Sequence, residues 1–434
     1  MTETVPHVKG TPTRGLAAAT FGFFVGFMAV ALIGPNGPTF KSTMGLTASQ
    51  LGLLVAAPNL SGSLLRIPFG AWVDKTGGKK PFLILLGGAT AGLFGLTAVL
   101  IADYPKHLTI GMYPLMVALA VLCGCGIATF SVGIPQTSYW YPHKKQGMAL
   151  GLYAGLGNTA PGFVTLILPF AVLALTLPGT YAVWLIFVAI GTMIYSFIAL
   201  DAPFFQLSRR GLPREKSIEI AKGQGEELFP SGQLVQALKI SARAWRNWAL
   251  VAAYFTSFGG FLALTTWFPT YWNLFHGFNS RTAAVTTALS FTLLASLVRA
   301  AGGSVSDRIG GENAAIGAFA LITVGALMMV SLSDTALDIA AAVVIGIGMG
   351  LANASVFKLV ARYVPEAVGG AAGWVGGLGA FGGFVVPPIL GSFVDVYGKN
   401  GYNLGFVTYI LLGLVSVAIM AFLRARSKSV PVRA

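Results

Sequence analysis

The 434-residue chain is 55% hydrophobic and only 10% charged, where soluble domains average roughly 25% charged residues. With a mean hydropathy of +0.76, that composition excludes a soluble globular protein. A formal charge of +14 would suggest nucleic-acid binding in a soluble chain, but here its distribution decides its meaning.

A membrane helix needs about 20 apolar residues, and blocks of that size recur along the chain. Met1 to Arg14 is polar, and the apolar block after it is too long for a signal core, so it reads as a first membrane helix. Helices are predicted in order over 16–38, 48–72, 80–102, 108–135, 146–175 and 180–201. A second set follows over 246–273, 281–302, 314–333, 336–360, 369–396 and 403–422. The expected fold class is an all-α polytopic membrane protein with twelve transmembrane helices. Two pseudo-symmetric six-helix halves, 1–205 and 246–434, flank a polar segment, 206–245, read as a cytoplasmic loop.

Of the 28 Lys and Arg residues, only Lys41, Lys106, Arg281 and Lys399 fall on the face away from the termini, and Arg66 and Arg299 lie inside helices. The positive-inside rule then puts both termini in the cytoplasm of a multi-pass plasma membrane protein, bacterial or archaeal. Cys123 and Cys125 diverge on one helix and read as small packing residues. No metal-ligand spacing occurs, so neither a metal nor a cofactor is expected, and the partners are the lipid bilayer and a small ligand, with no nucleic acid.

The halves repeat. Arg66, Gly70, Asp74, Gly77 and Gly78 correspond to Arg299, Gly303, Asp307, Gly310 and Gly311 at a constant offset of 233. Gly124, Gly126, Gly147, Gly151, Gly155, Leu156 and Gly157 correspond to Gly346, Gly348, Gly369, Gly373, Gly377, Leu378 and Gly379 at an offset of 222. Repeated six-helix halves with a site near the bilayer midplane are the architecture of alternating-access transporters. Asp74 and Asp307, in the short loops of the first repeat, are candidates for a cytoplasmic gate.

Each arginine precedes its loop aspartate by eight residues, or about 12 Å of helix, and half the hydrocarbon core is about 15 Å. Arg66 and Arg299 are therefore expected near the midplane, facing each other. A charge at that depth costs at least about 2.5 kcal/mol and is usually paired or faces a cavity. None of the 14 acids lies mid-helix. The missing negative charge is most simply the substrate, a small anion. Arginine's planar fork matches planar oxyanions bidentately. Lys358 is a third cation nearer the cytoplasmic mouth.

The stretch A-L-G-L-Y-A-G-L-G-N-T-A-P-G from Ala149, with G-W-V-G-G-L-G-A-F-G-G-F from Gly373, resembles the paired signatures of the nitrate/nitrite porter family of the major facilitator superfamily. The loop G-A-W-V-D-K-T-G-G-K-K from Gly70 and its echo from Gly303 are similar to that superfamily's loop between helices two and three. The resemblance implies a major facilitator fold moving nitrate, nitrite or both, with the two arginines as anion ligands. It further implies Asn158 and Tyr254 as hydrogen-bonding groups at the site and Phe24, Phe130 and Phe258 as apolar walls. The signature glycines Gly151, Gly155, Gly157, Gly373, Gly377 and Gly379 would permit close packing and sliding.

Without a midplane acid as proton relay, nitrate/nitrite exchange is favoured, and proton symport through water, Tyr254 or Lys358 stays open. The alternatives are a small-carboxylate exchanger of the oxalate or formate type and a non-transporting anion sensor. No nucleophile, base and metal constellation points to an enzyme, and a monomer is expected.

Overall fold

The computed structural model describes residues 8–230, 234–331 and 334–428, and all regular structure among the described residues is helical. Nine helical stretches among them are long and apolar enough to cross a bilayer. The longest, Lys144–Ile198, has 55 residues, more than one crossing needs, and it turns at Thr176 (φ 62°) just before Pro178. The predicted helices 146–175 and 180–201 are its two legs.

The first two predicted helices are present as shorter pieces. α1 (Pro12–Met28) is separated from α2 (Gly37–Met44) by turns, because Pro35 and Pro38 remove backbone donors from the ladder. α3 (Ala48–Ala56), α4 (Pro58–Leu64) and α5 (Arg66–Thr76) form the second, interrupted at Ala57 and Leu65. α6 (Lys79–Asp103), α7 (Tyr113–Cys123), α8 (Cys125–Trp140), α9 (His143–Gly157) and α10 (Ala160–Ile198) complete the first half. Cys123 and Cys125 are buried free thiols.

The segment 206–245 is not an open loop. α11 (Pro203–Arg209), α12 (Arg214–Gly223) and α13 (Leu234–Arg243) give it structure. Lys9 donates its backbone N–H to Gln206 Oε1 at 3.0 Å, and Arg426 near the other end lies 5.8 Å over the Trp245 ring. Both ends of the described chain thus meet the central segment on one face. Asp201 is buried, accepts from Lys79 N at 2.8 Å and pairs with Arg209.

The second half comprises α14 (Trp245–Tyr254), α15 (Gly260–Leu274), α16 (Ser280–Thr287), α17 (Leu293–Ile309), α18 (Gly311–Ser331), α19 (Thr335–Tyr363), α20 (Val368–Leu378), α21 (Gly382–Tyr397), α22 (Gly401–Leu404) and α23 (Val407–Lys428). Wider π turns join α14 to α15 (Phe255–Gly259) and α16 to α17 (Ala288–Thr292). The first repeat is visible in backbone angles: Gly77 and Gly310 end α5 and α17 at φ 76° and 87°, a left-handed conformation that favours glycine.

On the face away from the termini the halves are locked. Asp395 of α21 accepts from Ala48 N at 2.8 Å and Ser49 N at 2.9 Å, capping α3, where a carboxylate also complements the helix dipole. A side chain at Gly52 would strike the Pro387 carbonyl, and one at Gly391 the Ala48 carbonyl. Toward the termini, Gly147, Gly151 and Gly369 have no neighbouring atom within 4 Å of where a Cβ would lie. The bundle is tight at one end and open at the other.

Glu226, buried outside the membrane helices, accepts from Phe204 N at 3.3 Å. Burial pushes its carboxyl up from an ordinary 4.5 to about 8. Because the folded value is raised, the docked segment binds the proton more tightly than the undocked one. Docking is then strongest below about 4.5 and weakens as pH rises to about 8. Limited proteolysis within 210–230 is expected to be faster at pH 9 than at pH 6, and Glu226→Gln is expected to remove that difference.

Candidate functional site

Two aromatic rings from different halves form the centre. Phe130 of α8 and Phe258 of the first π turn lie 6.2 Å apart at 24°. Both predicted arginines reach them: Arg66 Cζ is 4.8 Å from the Phe130 centroid and 5.0 Å from that of Phe258. Arg299 Cζ is 5.6 Å and 5.1 Å from the same two. The guanidinium groups therefore converge on one locus, each attracted to the negative ring faces by about 0.5–2 kcal/mol.

Neither arginine makes an ion pair among the described residues. Arg66 is 1% exposed; its Nε donates to Gly62 O and its Nη1 to Gly376 O, both at 2.9 Å. Arg299 is partly buried and donates through Nη2 to Tyr254 OH at 3.1 Å. Arg66 Nη2 and Arg299 Nη1 are buried without a hydrogen-bond partner. An unpaired buried donor on a charged group is costly, and both of these lie beside the same pair of flat rings.

Tyr254 is fully buried, at the end of α14. Its ring stacks on Phe258 at 5.2 Å and 17°, and having accepted from Arg299 its hydroxyl keeps a proton to donate. The π turn that follows carries Phe258, and such turns are frequent at functional sites. Asn158 is buried, with Nδ2 donating to Ala154 O at 2.6 Å and Oδ1 unpartnered. Its carbonyl accepts from Ser296 Oγ at 3.1 Å, tying α9 to α17.

The structure also places Phe24, Lys358 and Asp74. The α1 ring that packs on Phe130 is Phe23, at 5.3 Å; Phe24, about 100° further round the helix, is only partly buried. Lys358 is not a free cation, since it pairs with Asp307 where both are largely exposed. Asp74 has a different partner, accepting from Tyr139 OH at 2.5 Å, so the two loop aspartates are not equivalent.

The signature glycines divide similarly. A Cβ at Gly157 would lie 2.0 Å from Phe23 Cδ1, one at Gly379 2.8 Å from Tyr254 Cβ, and one at Gly377 2.8 Å from Ile67 Cγ1. These three make room for site residues or bring α20 beside α4 and α5. Gly151 has no neighbour within 4 Å, and Gly155 and Gly373 meet only Ala300 at 3.4 Å and Leu238 at 3.6 Å.

Sequence reasoning missed Tyr153, although it sits inside the first glycine signature. It is buried between Phe23 (5.5 Å) and Phe130 (6.0 Å), and its hydroxyl donates toward Phe130 O at 3.0 Å. It was also silent on Gly376, whose carbonyl holds Arg66. One turn beyond Phe258, the space between the halves narrows to a cavity of about 20 Å³ bordered by Phe27, Asn59, Ile127 and Phe261.

Residues 19–387 match the family described as the Major Facilitator Superfamily. A probable nitrate/nitrite transporter, NarK2 of Mycobacterium tuberculosis, is 30% identical over 94% of this chain and 96% of its own length. A probable nitrate/nitrite antiporter, NarK1 of Thermus thermophilus, is 30% identical over 93% and 89%, and a nitrite extrusion protein of Bacillus subtilis 27% over 94% and 93%. Among solved structures, the xylose transporter XylE of E. coli, in a partially occluded inward-open conformation, superposes with a TM-score of 0.71. It covers 96% of this chain and 99% of its own at 13% identity, a likeness of fold.

Gly157→Ala is expected to destabilise the protein by about 1–3 kcal/mol through overpacking against Phe23, read as a lower unfolding midpoint in detergent. Gly151→Ala, in open space, is expected to be neutral or slightly stabilising through helix propensity.

Proposed function

The chain belongs to the nitrate/nitrite porter family of the major facilitator superfamily, a family of transporters and not enzymes, and we propose that it carries nitrate and nitrite by alternating access. The observation that carries this reading is the pair of unpartnered guanidinium nitrogens, Arg66 Nη2 and Arg299 Nη1, converging on Phe130 and Phe258. The anion lies flat between the rings, receives one donor from each half and a third from Tyr254, and neutralises the repulsion between the arginines.

Alternating access follows from that charge balance. With the site empty, two like charges oppose closure of the halves; with the anion bound, each half has a partner in the other. An empty site that resists reorientation favours exchange of one anion for the other. Tight contacts at the Asp395 end and open space around Gly147 and Gly151 support a state that opens toward the termini. We assign that face to the cytoplasm from the distribution of Lys and Arg, with twelve crossings and a monomeric unit. Asp74 and Asp307, through Tyr139 and Lys358, act at the cytoplasmic gate.

Arg66→Lys and Arg299→Lys are each expected to lower nitrate and nitrite countertransport in proteoliposomes at least tenfold, because an ammonium keeps the charge and loses the fork. Tyr254→Phe, which removes one donor, is expected to lose less. Unlabelled nitrate or nitrite should outcompete formate and oxalate. Near-normal flux in both lysine variants, or the reverse competition order, overturns the assignment.

A further inference from the structure

At the face opposite the termini, α15 and α19 enclose an imidazole and a carboxylate that the anion site does not use. The His276 side chain, just past α15, is 5% exposed, and that of Asp338, in the first turn of α19, is fully buried. His276 Nε2 lies 2.9 Å from Asp338 Oδ2, and its Nδ1 lies 3.0 Å from the Thr335 hydroxyl. Tyr271 OH donates to the same carboxylate oxygen at 2.7 Å and lies 2.9 Å from Asn403 Oδ1. Asp338 Oδ1 is buried with no hydrogen-bond partner.

With a neutral imidazole and an ionised carboxylate, this unit is a buried net negative charge with one bare oxygen, an expensive state. One proton from water, forming an N–H bond on His276 or an O–H bond on Asp338, makes the unit neutral. The Thr335 hydroxyl accepts or donates equally well, so Nδ1 keeps its partner in either protonation state. The remaining charged and titratable groups around the pair do not replace the proton. Asp334 adds negative charge while capping α19 through Ala336 N at 2.9 Å. Tyr402 packs on Tyr271 at 6.4 Å, with Asp395 nearby. Lys399 lies 5.6 Å over the Phe275 ring, where its ammonium has a cation–π partner.

The pair sits beside the contact that seals this face. Thr266 and Thr270 of α15 pack against the chain at Gly34 and Gly37 in the first half: a Cβ at Gly34 would come 2.9 Å from Thr266 Cα, and one at Gly37 3.0 Å from Thr270 Oγ1. Tyr271 follows Thr270 directly and anchors this end of α15 to α19. Opening the seal moves α15 and admits water to the pair. The sealed state therefore gains more from the proton than the open one.

We propose that His276 and Asp338 form a proton-binding site whose occupancy favours closure of the gate on the face opposite the termini. The proposal deepens the transport reading and rests on it for its consequence, since acid on that side then biases the carrier toward presenting its anion site to the other. The equilibrium itself is measurable without any anion.

The test uses full-length protein in nanodiscs with spin labels at Lys106→Cys and Arg281→Cys, exposed positions on that face in opposite halves, after Cys123 and Cys125 are replaced by serine. Double electron–electron resonance is expected to show the longer-distance population at least threefold larger at pH 8.5 than at pH 5.5. His276→Gln and Asp338→Asn are each expected to make the distribution independent of pH. A wild-type distribution equal at the two pH values, or a pH response that persists in His276→Gln, overturns the proposal. Failure of nitrate and nitrite countertransport by the same protein reconstituted in proteoliposomes would sink the transport reading instead.

Discussion

Two like charges are held beside the same pair of phenyl rings in the middle of a membrane protein, and the surrounding structure is organised around tolerating them. Each ring face offsets part of the cost, and the rest is shared unequally. Arg66 spends two of its donors on backbone carbonyls, one from its own helix segment and one from Gly376 of the other half. Arg299 spends one on Tyr254. What remains on each is a nitrogen turned inward without a partner. The protein thus holds its arginines in place without satisfying them, and in the function proposed for it an anion completes the set.

That arrangement depends on backbone approach. The Gly376 carbonyl reaches Arg66 because Gly377 lets α20 lie against Ile67 and the Ser63 carbonyl. Phe23 and Tyr153 can back Phe130 because Gly157 and Gly133 leave no side chain in their way. Tyr254 fits under Gly379 in the same manner. The glycines therefore act at the site by yielding volume to aromatic side chains, a narrower role than general smoothness for sliding. Those facing open space near the termini have no neighbour to yield to.

The internal repeat gives two matching arginines, and the surroundings then make them different. Arg66 is sealed in the interior while Arg299 is partly exposed. Asp74 answers to a tyrosine and Asp307 to a lysine. At the opposite face only the second half carries the His276 and Asp338 cluster. The asymmetry arises outside the repeated residues, in the side chains packed around each member of a pair, because two halves related by an axis along the membrane normal meet the closed and the open end alike.

The amino-acid sequence by itself determined the membrane class, the duplicated halves and the identity of the two arginines, because hydropathy, constant offsets and the scarcity of acids are properties of order along the chain. It also marked Tyr254, Phe130 and Phe258, through the family resemblance. Only the tertiary structure decided which face of α1 packs on Phe130, and so Phe23 over Phe24, since a one-residue rotation is invisible when both neighbours are the same residue type. Folding likewise brought Gly376 to Arg66 across 310 positions, gave Lys358 to Asp307, and joined His276 to Asp338. Such pairings are set by how helices pack against one another, and helix packing is fixed by contacts between residues far apart in the chain, which a pattern read along it does not contain.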